Sequence, residues 1–312
     1  MSGVFVTIMT VFEITGNVQK RFIEDAALLH MLDPVRGNPT SHSLDRHPHD
    51  TDVSREVFLI RKFLDSMALL ASTHRDGDRV SAATMELGAP EGTIVRIASN
   101  AGVCNSTLLR LRDLMADLNV ASTMVLTLER KADILIKIIS LDIEKIRHYF
   151  AELRKVQSQI SAIEKVLPQL DSEFEPAGVQ QFSSWLRNLV AVTAVPANAS
   201  PLRLLPHVQW AEKAKWEYSN YLEAVFSVQG SQLPRWIYNI YKLGRYAVAS
   251  RALCQLAAEY PDLFCPMRVE TVQSSPKLIF SIPDTEQPLS QVLRRLVGDR
   301  EDDETGQGLE RS

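Results

Sequence analysis

The sequence predicts a mainly α-helical protein with one small antiparallel β-hairpin (α+β), its helices packed as a bundle. Three observations carry that prediction. Apolar residues recur at three-four spacing through most of residues 53–260, the period of a helix with a buried face. A single stretch, residues 80–99, changes to strand-like content around a Gly/Pro turn. The helical patterns of the second half are separated by loops that carry proline, which cannot continue a helix.

The first 32 residues pair an apolar run, GVFVTIMTVF, with a helical stretch, QKRFIEDAALLHML. The run reads as a buried strand. It is far short of the roughly 20 residues that span a bilayer, and it lacks the basic segment and small-residue cleavage site of a secretory signal. Residues 33–52, rich in Pro, His, Asp and Ser, read as a linker, and residues 53–298 as the main domain.

That domain opens with a helix over residues 53–71, which Asp52 can cap; Val53, Val57, Ile60, Leu64, Met67 and Ala71 form its stripe, widened by Leu59, Phe63 and Leu70. VSAATMEL and TIVRIAS, joined by GAPEG, form the hairpin over residues 80–99. Asn105 or Ser106 can cap the next helix. Residues 120–167 contain neither Pro nor Gly and read as one long helix or a helical hairpin, with Gln157 and Glu164 interrupting a coiled-coil seam. Further helices are expected over residues 179–192, 208–228 and 236–260, short strands over 268–272 and 277–282, and a last helix over 290–297. Trp210, Ala214, Tyr218, Tyr221 and Val225 share a face and read as core. The acidic tail, residues 299–312, is too polar to fold alone.

Composition narrows the function classes. A chain of 312 residues with 45% hydrophobic and 23% charged residues can bury a substantial core. Its net charge of −4 argues against coating nucleic acid, which draws on a basic excess. Three cysteines, Cys104, Cys254 and Cys265, make an odd number with no C-x-x-C pair. That pattern indicates a reducing compartment, so an intracellular location, cytoplasmic or nuclear, is expected with no membrane partner.

Candidate chemistry is sparse. His47, His49, Asp50 and Asp52 (HPHDTD) are a dense set of metal-ligand types, but Pro48 parts the histidines within a linker, and a solvated loop is the better reading. No phosphate-binding glycine loop, G-x-S-x-G elbow or G-x-G-x-x-G is present. His30, His74, His148 and His207 are isolated and read as surface or core histidines. Basic and aromatic residues interleave late in the chain, a composition that binds single strands by stacking or forms an amphipathic helix. The second reading is preferred, and it makes Trp236, Tyr241, Lys242, Arg245 and Tyr246 the candidate interaction surface. Gly244, Tyr246, Ala249 and Pro261 are spaced like the second half of a tetratricopeptide repeat, in which Gly permits the inter-helix turn, but no second copy occurs.

Two segments together, FLDSMALLASTHRDGDRVSAATMELGAPEGTIVRIASNAGV and LPRWIYNIYKLGRYAVASRALCQLAAEYPDLFCPM with the later PLSQVLRRLVG, resemble large fungal proteins with a nucleic-acid or nucleotide deaminase-like domain of the cytidine-deaminase superfamily. The resemblance covers roughly residues 50–298. It implies an opening helix and hairpin, then, after a large helical insertion, a His-x-Glu helix and a Pro-Cys-x-x-Cys helix that hold zinc and activate water. Neither zinc motif occurs, and Cys265 precedes Pro266 in the reverse order. No catalytic, cofactor-binding or metal-binding residue is therefore carried over, and zinc is expected only in a full-length relative. The implied function is that of a non-catalytic, truncated or degenerate relative acting through protein contacts. The alternatives are a helical, tetratricopeptide-like interaction module, or a zinc-dependent deaminase whose site is not visible in the sequence. Partner identity and oligomeric state are left open.

Overall fold

Ser54 starts the first helix, α1 (Arg55–Ala71), by accepting a hydrogen bond from the Val57 N–H at 3.4 Å. This computed structural model describes residues 53–74, 80–89, 92–156, 174–228 and 233–274, with Leu44 in addition. All of them belong to one compact unit spanning residues 41–275. The expected strand and helix within residues 3–32, the HPHDTD loop, residues 157–167, the strand over 277–282, the helix over 290–297 and the tail lie outside the described residues.

After α1 come β1 (Ser81–Ala89), β2 (Gly92–Ser99), α2 (Asn105–Ser122), α3 (Leu128–Leu141), α4 (Ile143–Arg154), α5 (Pro176–Thr193), α6 (Pro201–Trp216), α7 (Ser219–Val228), α8 (Arg235–Glu259) and β3 (Met267–Thr271). The protein is mainly helical with a small sheet, as its periodicity predicts. The sheet order is β1-β2-β3: β1 and β2 form the antiparallel hairpin, and β3 lies parallel to β2 on its other side. A third strand matters because a two-stranded ribbon alone is marginal in water.

Gly92 explains how β2 and β3 meet. Its φ of +98° is open to glycine, and a Cβ there would lie 2.3 Å from the Pro266 carbonyl oxygen. That oxygen accepts the Thr93 N–H at 3.0 Å, which begins the parallel ladder. Across the outer face of the sheet, Arg96 bridges Glu86 (2.9 Å) on β1 and Glu270 (2.8 Å) on β3.

Helix α8 is the axis of the helical part. Tyr246, Ile237, Leu243, Leu253 and Leu256 along it are fully buried, and α1, α2, α3, α4 and α6 all pack against it. Gly244 lets α6 come close: a Cβ there would meet the Ala211 carbonyl oxygen at 2.6 Å. Further along, Trp185 of α5 and Trp210 of α6 stack at 4.7 Å, and each indole N–H donates to the other's carbonyl, at 3.0 and 2.8 Å. This satisfies two part-buried donors within an aromatic cluster that includes Phe182, Tyr218 and Tyr221.

Several expectations need correction. The buried face of α1 centres on the predicted widening of the stripe: Leu59, Phe63 and Leu70 are fully buried with Met67, while Val57 of the stripe is 39% exposed. Of the two alternatives for residues 120–167, one long helix is excluded: α2 ends at Ser122, and α3 and α4 follow as separate helices. Ser122 and Thr123 turn their hydroxyls back to the Asn119 and Val120 carbonyls, and Thr127 caps α3 by accepting the Arg130 N–H. Such local bonds compete with helix continuation and break it without Pro or Gly. Residues 208–228 likewise divide between α6 and α7. Gly244 and Ala249 lie in one unbroken helix, so the half-repeat with its inter-helix turn does not form.

Candidate functional site

Where α2 hands over to α3, the chain exposes its apolar side chains to solvent. Val125 is 92% exposed, Leu128 86%, Met124 57% and Val120 42%. Three of these four form the lip of a cleft of about 900 Å³. Its floor is Leu135 of α3 with Ala247, Ser250 and Cys254 of α8, and its far wall is Gln209 and Glu212 of α6. The close approach of α6 to α8 at Gly244 fixes how far apart those walls stand. The size falls within the range of small-molecule and peptide-anchor pockets, and an apolar lip around a part-polar cleft marks an interaction site more often than a plain solvent face.

The charges around the cleft divide into neutralised and open groups. Glu212 is paired with Arg251. Glu259 receives both guanidinium arms of Arg55, at 3.0 and 2.7 Å, and its pKa is lowered mainly by that hydrogen bond. At the lip, by contrast, Lys131 forms no ion pair among the described residues; Arg130, outside the lining, points a nitrogen at the Met124 sulfur, 3.5 Å away. The cleft's uncompensated charge is therefore positive. Cys254 is not a ready nucleophile, since burial pushes its thiol up to about 11.

Behind the cleft, Trp216 is flanked by two cations. The Arg251 guanidinium lies 5.0 Å from its ring centroid and the Lys62 ammonium 4.5 Å, with Lys62 also 4.7 Å from the Phe58 ring. Burial, then repulsion from Arg251 and Arg55, brings Lys62 down to about 8. The two rings add cation–π attraction to this buried ammonium.

A second polar cluster sits at the α3–α4 junction. Asp142 closes α3, accepts the Ile146 N–H from α4 through its carbonyl, and is 1% exposed. Burial pushes its carboxyl up to about 7, opposed by the Lys145 charge and the Tyr246 hydroxyl. Lys145 donates to the Ser72 carbonyl at 2.5 Å, and burial lowers its pKa.

The interaction surface expected from the sequence is largely interior. Tyr246 is fully buried against Asp142, Tyr241 lies under the Lys215 ammonium at 5.1 Å, and Trp236 packs edge-on to Phe226. The physical reason is that α8 is enclosed on most sides, so its aromatic residues fill core. Only Lys242 is exposed, 5.7 Å from the Tyr149 ring, with Arg245 half-buried. His207, half-buried, packs edge-on to Phe150, and burial lowers its pKa. Cys104, Cys254 and Cys265 are free thiols.

Among the described residues no group of three His, Cys, Asp or Glu is arranged to hold a metal ion, and no helix is long and apolar enough to cross a membrane. What the fold and cleft define is a helical domain with an apolar, positively charged groove beside its central helix. No known protein family, curated protein or solved structure matches the chain.

Sequence reasoning missed the cleft because its lip falls at a helix break with no Pro or Gly. One signal was present: Thr123 to Leu128 reads TMVLTL, an apolar run between hydroxyl residues that interrupts the charged helical pattern.

Proposed function

We propose that this chain is a non-catalytic, intracellular relative of the deaminase-like proteins it resembles and works through protein contacts, with the α2–α3 cleft as its docking site. The observation that carries the docking reading is the exposure of Met124, Val125 and Leu128 around a 900 Å³ cleft. Four exposed apolar side chains in one short segment cost solubility unless a partner covers them. The open cation at Lys131 selects a partner segment carrying a carboxylate beside its apolar anchors. An amphipathic helix has that pattern, with anchors at i, i+3/i+4 and i+7. The relationship to deaminase-like proteins is supported by the order of α1 and the β1–β2 hairpin, which follows the expected opening helix and hairpin.

The alternative is a helical interaction module unrelated to deaminases, favoured by the continuity of α8 through the second resembling segment. Both readings use the same cleft. Zinc analysis of the purified full chain distinguishes them from a deaminase with an unseen site; stoichiometric, tightly held zinc would overturn the non-catalytic reading. The docking reading is tested by selecting from a displayed library of random 16-residue peptides. Enriched peptides should be amphipathic and acidic, and Lys131→Glu should weaken the best of them about tenfold. Peptides bound equally by Lys131→Glu would contradict the charge assignment.

A further inference from the structure

The two outer edges of the sheet are finished differently. Thr93 N–H donates to Pro266 and Val272 N–H to Ile97, which assigns the even-numbered residues of β3 to β2 and turns Met267 and Val269 outward. Both outward carbonyls are taken by α2: Asn119 donates to Met267 at 3.4 Å and Arg112 to Val269 at 3.2 Å. That edge is sealed by helix side chains.

At Ala83 and Met85 the β1 edge carries no such device among the described residues. Asn100 N–H donates to Val80, so even-numbered residues of β1 face β2, and Ala83 and Met85 turn their N–H and C=O groups outward. The strand has no Pro and no Lys, and its one charge, Glu86, is neutralised by Arg96. Val80 and Leu87, at its two ends, are 58% and 55% exposed. A long edge strand without gatekeeping charge is a template for another strand.

We infer that β1 pairs antiparallel with β1 of a second copy, about a two-fold axis at Thr84. The strand is self-complementary in that register. Ala83 lies opposite Met85 of the partner, small against large on the core-facing side. Thr84 meets Thr84 of the partner on the exposed side, a favourable cross-strand pair. Glu86 lies opposite Ala82 of the partner, so no like charges oppose each other. The second copy also closes the assembly: joined at β1, the two three-stranded sheets leave only β3 edges outside, and both are sealed by Arg112 and Asn119. A foreign peptide on β1 would pair without that closure. The inference rests on the sheet edges alone and is independent of the cleft.

Sedimentation velocity of the full chain over a hundredfold concentration range should show a reversible dimer. Ala83→Pro removes an outward N–H that the fold does not use, and should leave a monomer with unchanged circular dichroism. Register is read separately: in a Cys265→Ser background, Thr84→Cys at the axis should form a covalent dimer on mild oxidation, because facing non-hydrogen-bonded residues are about 4.5 Å apart at Cα, while Ala82→Cys should not. A monomer at every concentration, or a dimer whose Thr84→Cys form does not cross-link, would overturn the inference whether or not Ala83→Pro folds.

Discussion

Gly244→Ala is expected to destabilise the protein by about 2 kcal/mol, lowering Tm by roughly 4–8 °C in thermal and urea unfolding. The new methyl would meet the Ala211 oxygen at 2.6 Å, the Ala211 carbonyl carbon at 2.9 Å and the Glu212 Cα at 3.0 Å. All three are main-chain atoms of α6, so no side chain can rotate away. Overpacking of this kind costs up to about 3 kcal/mol, and the better helix propensity of alanine returns only about 1 kcal/mol. The same shift moves Gln209 and Glu212, which form the far wall of the cleft. Peptide affinity should therefore fall even at temperatures where the variant is folded. An unchanged or raised Tm would mean that α6 and α8 are not in main-chain contact.

Asp142→Asn is expected to stabilise the protein at pH 8 by about 2–4 kcal/mol and to leave it nearly unchanged at pH 4. The sign follows from the direction of the shift. Burial raises the folded carboxyl from 3.8 to about 7, so between those values the folded state holds a proton that the unfolded state has released. Stability of the wild type should then fall as pH rises from about 4 to about 7, and the cost is complete above 7. Asparagine removes the charge and keeps the shape. Lys145 acts with the opposite sign: burial lowers its pKa, so its contribution makes stability rise with pH. Urea unfolding of both proteins at half-unit pH steps checks this. A wild type equally stable at pH 4 and pH 8, relative to Asp142→Asn, would show that Asp142 is not desolvated.

Much of the architecture was legible because it depends on local pattern. The hairpin follows from β-branched content around Gly88 and Gly92, and α8 from unbroken periodicity between Pro234 and Pro261. What was not legible depends on which face of an element finds a neighbour. The stripe of α1 could be drawn through Val57 or through Leu59 with nearly equal hydrophobic content, and only packing against α8 and the sheet selects Leu59. Parallel addition of β3 to β2 joins residues more than 170 positions apart, beyond any local signal. The site suffered most. Aromatic and basic residues on α8 look alike whether the helix is central or peripheral, and here it is central, so Tyr246 and Tyr241 became core. Lys62 carried no signal at all, because the rings it packs against are Phe58 on its own helix and Trp216 far away in sequence.

One comparison of affinities tests directly whether the cleft is the docking site. The best library-selected peptide is titrated against the wild type, against Leu128→Asp on the lip, and against Leu87→Asp, an exposed leucine on β1. Burying an unpaired carboxylate where an apolar anchor should sit costs far more than 1.4 kcal/mol. The expected result is a loss of at least about tenfold for Leu128→Asp with Leu87→Asp binding like the wild type. Equal affinity for Leu128→Asp and the wild type would contradict the account.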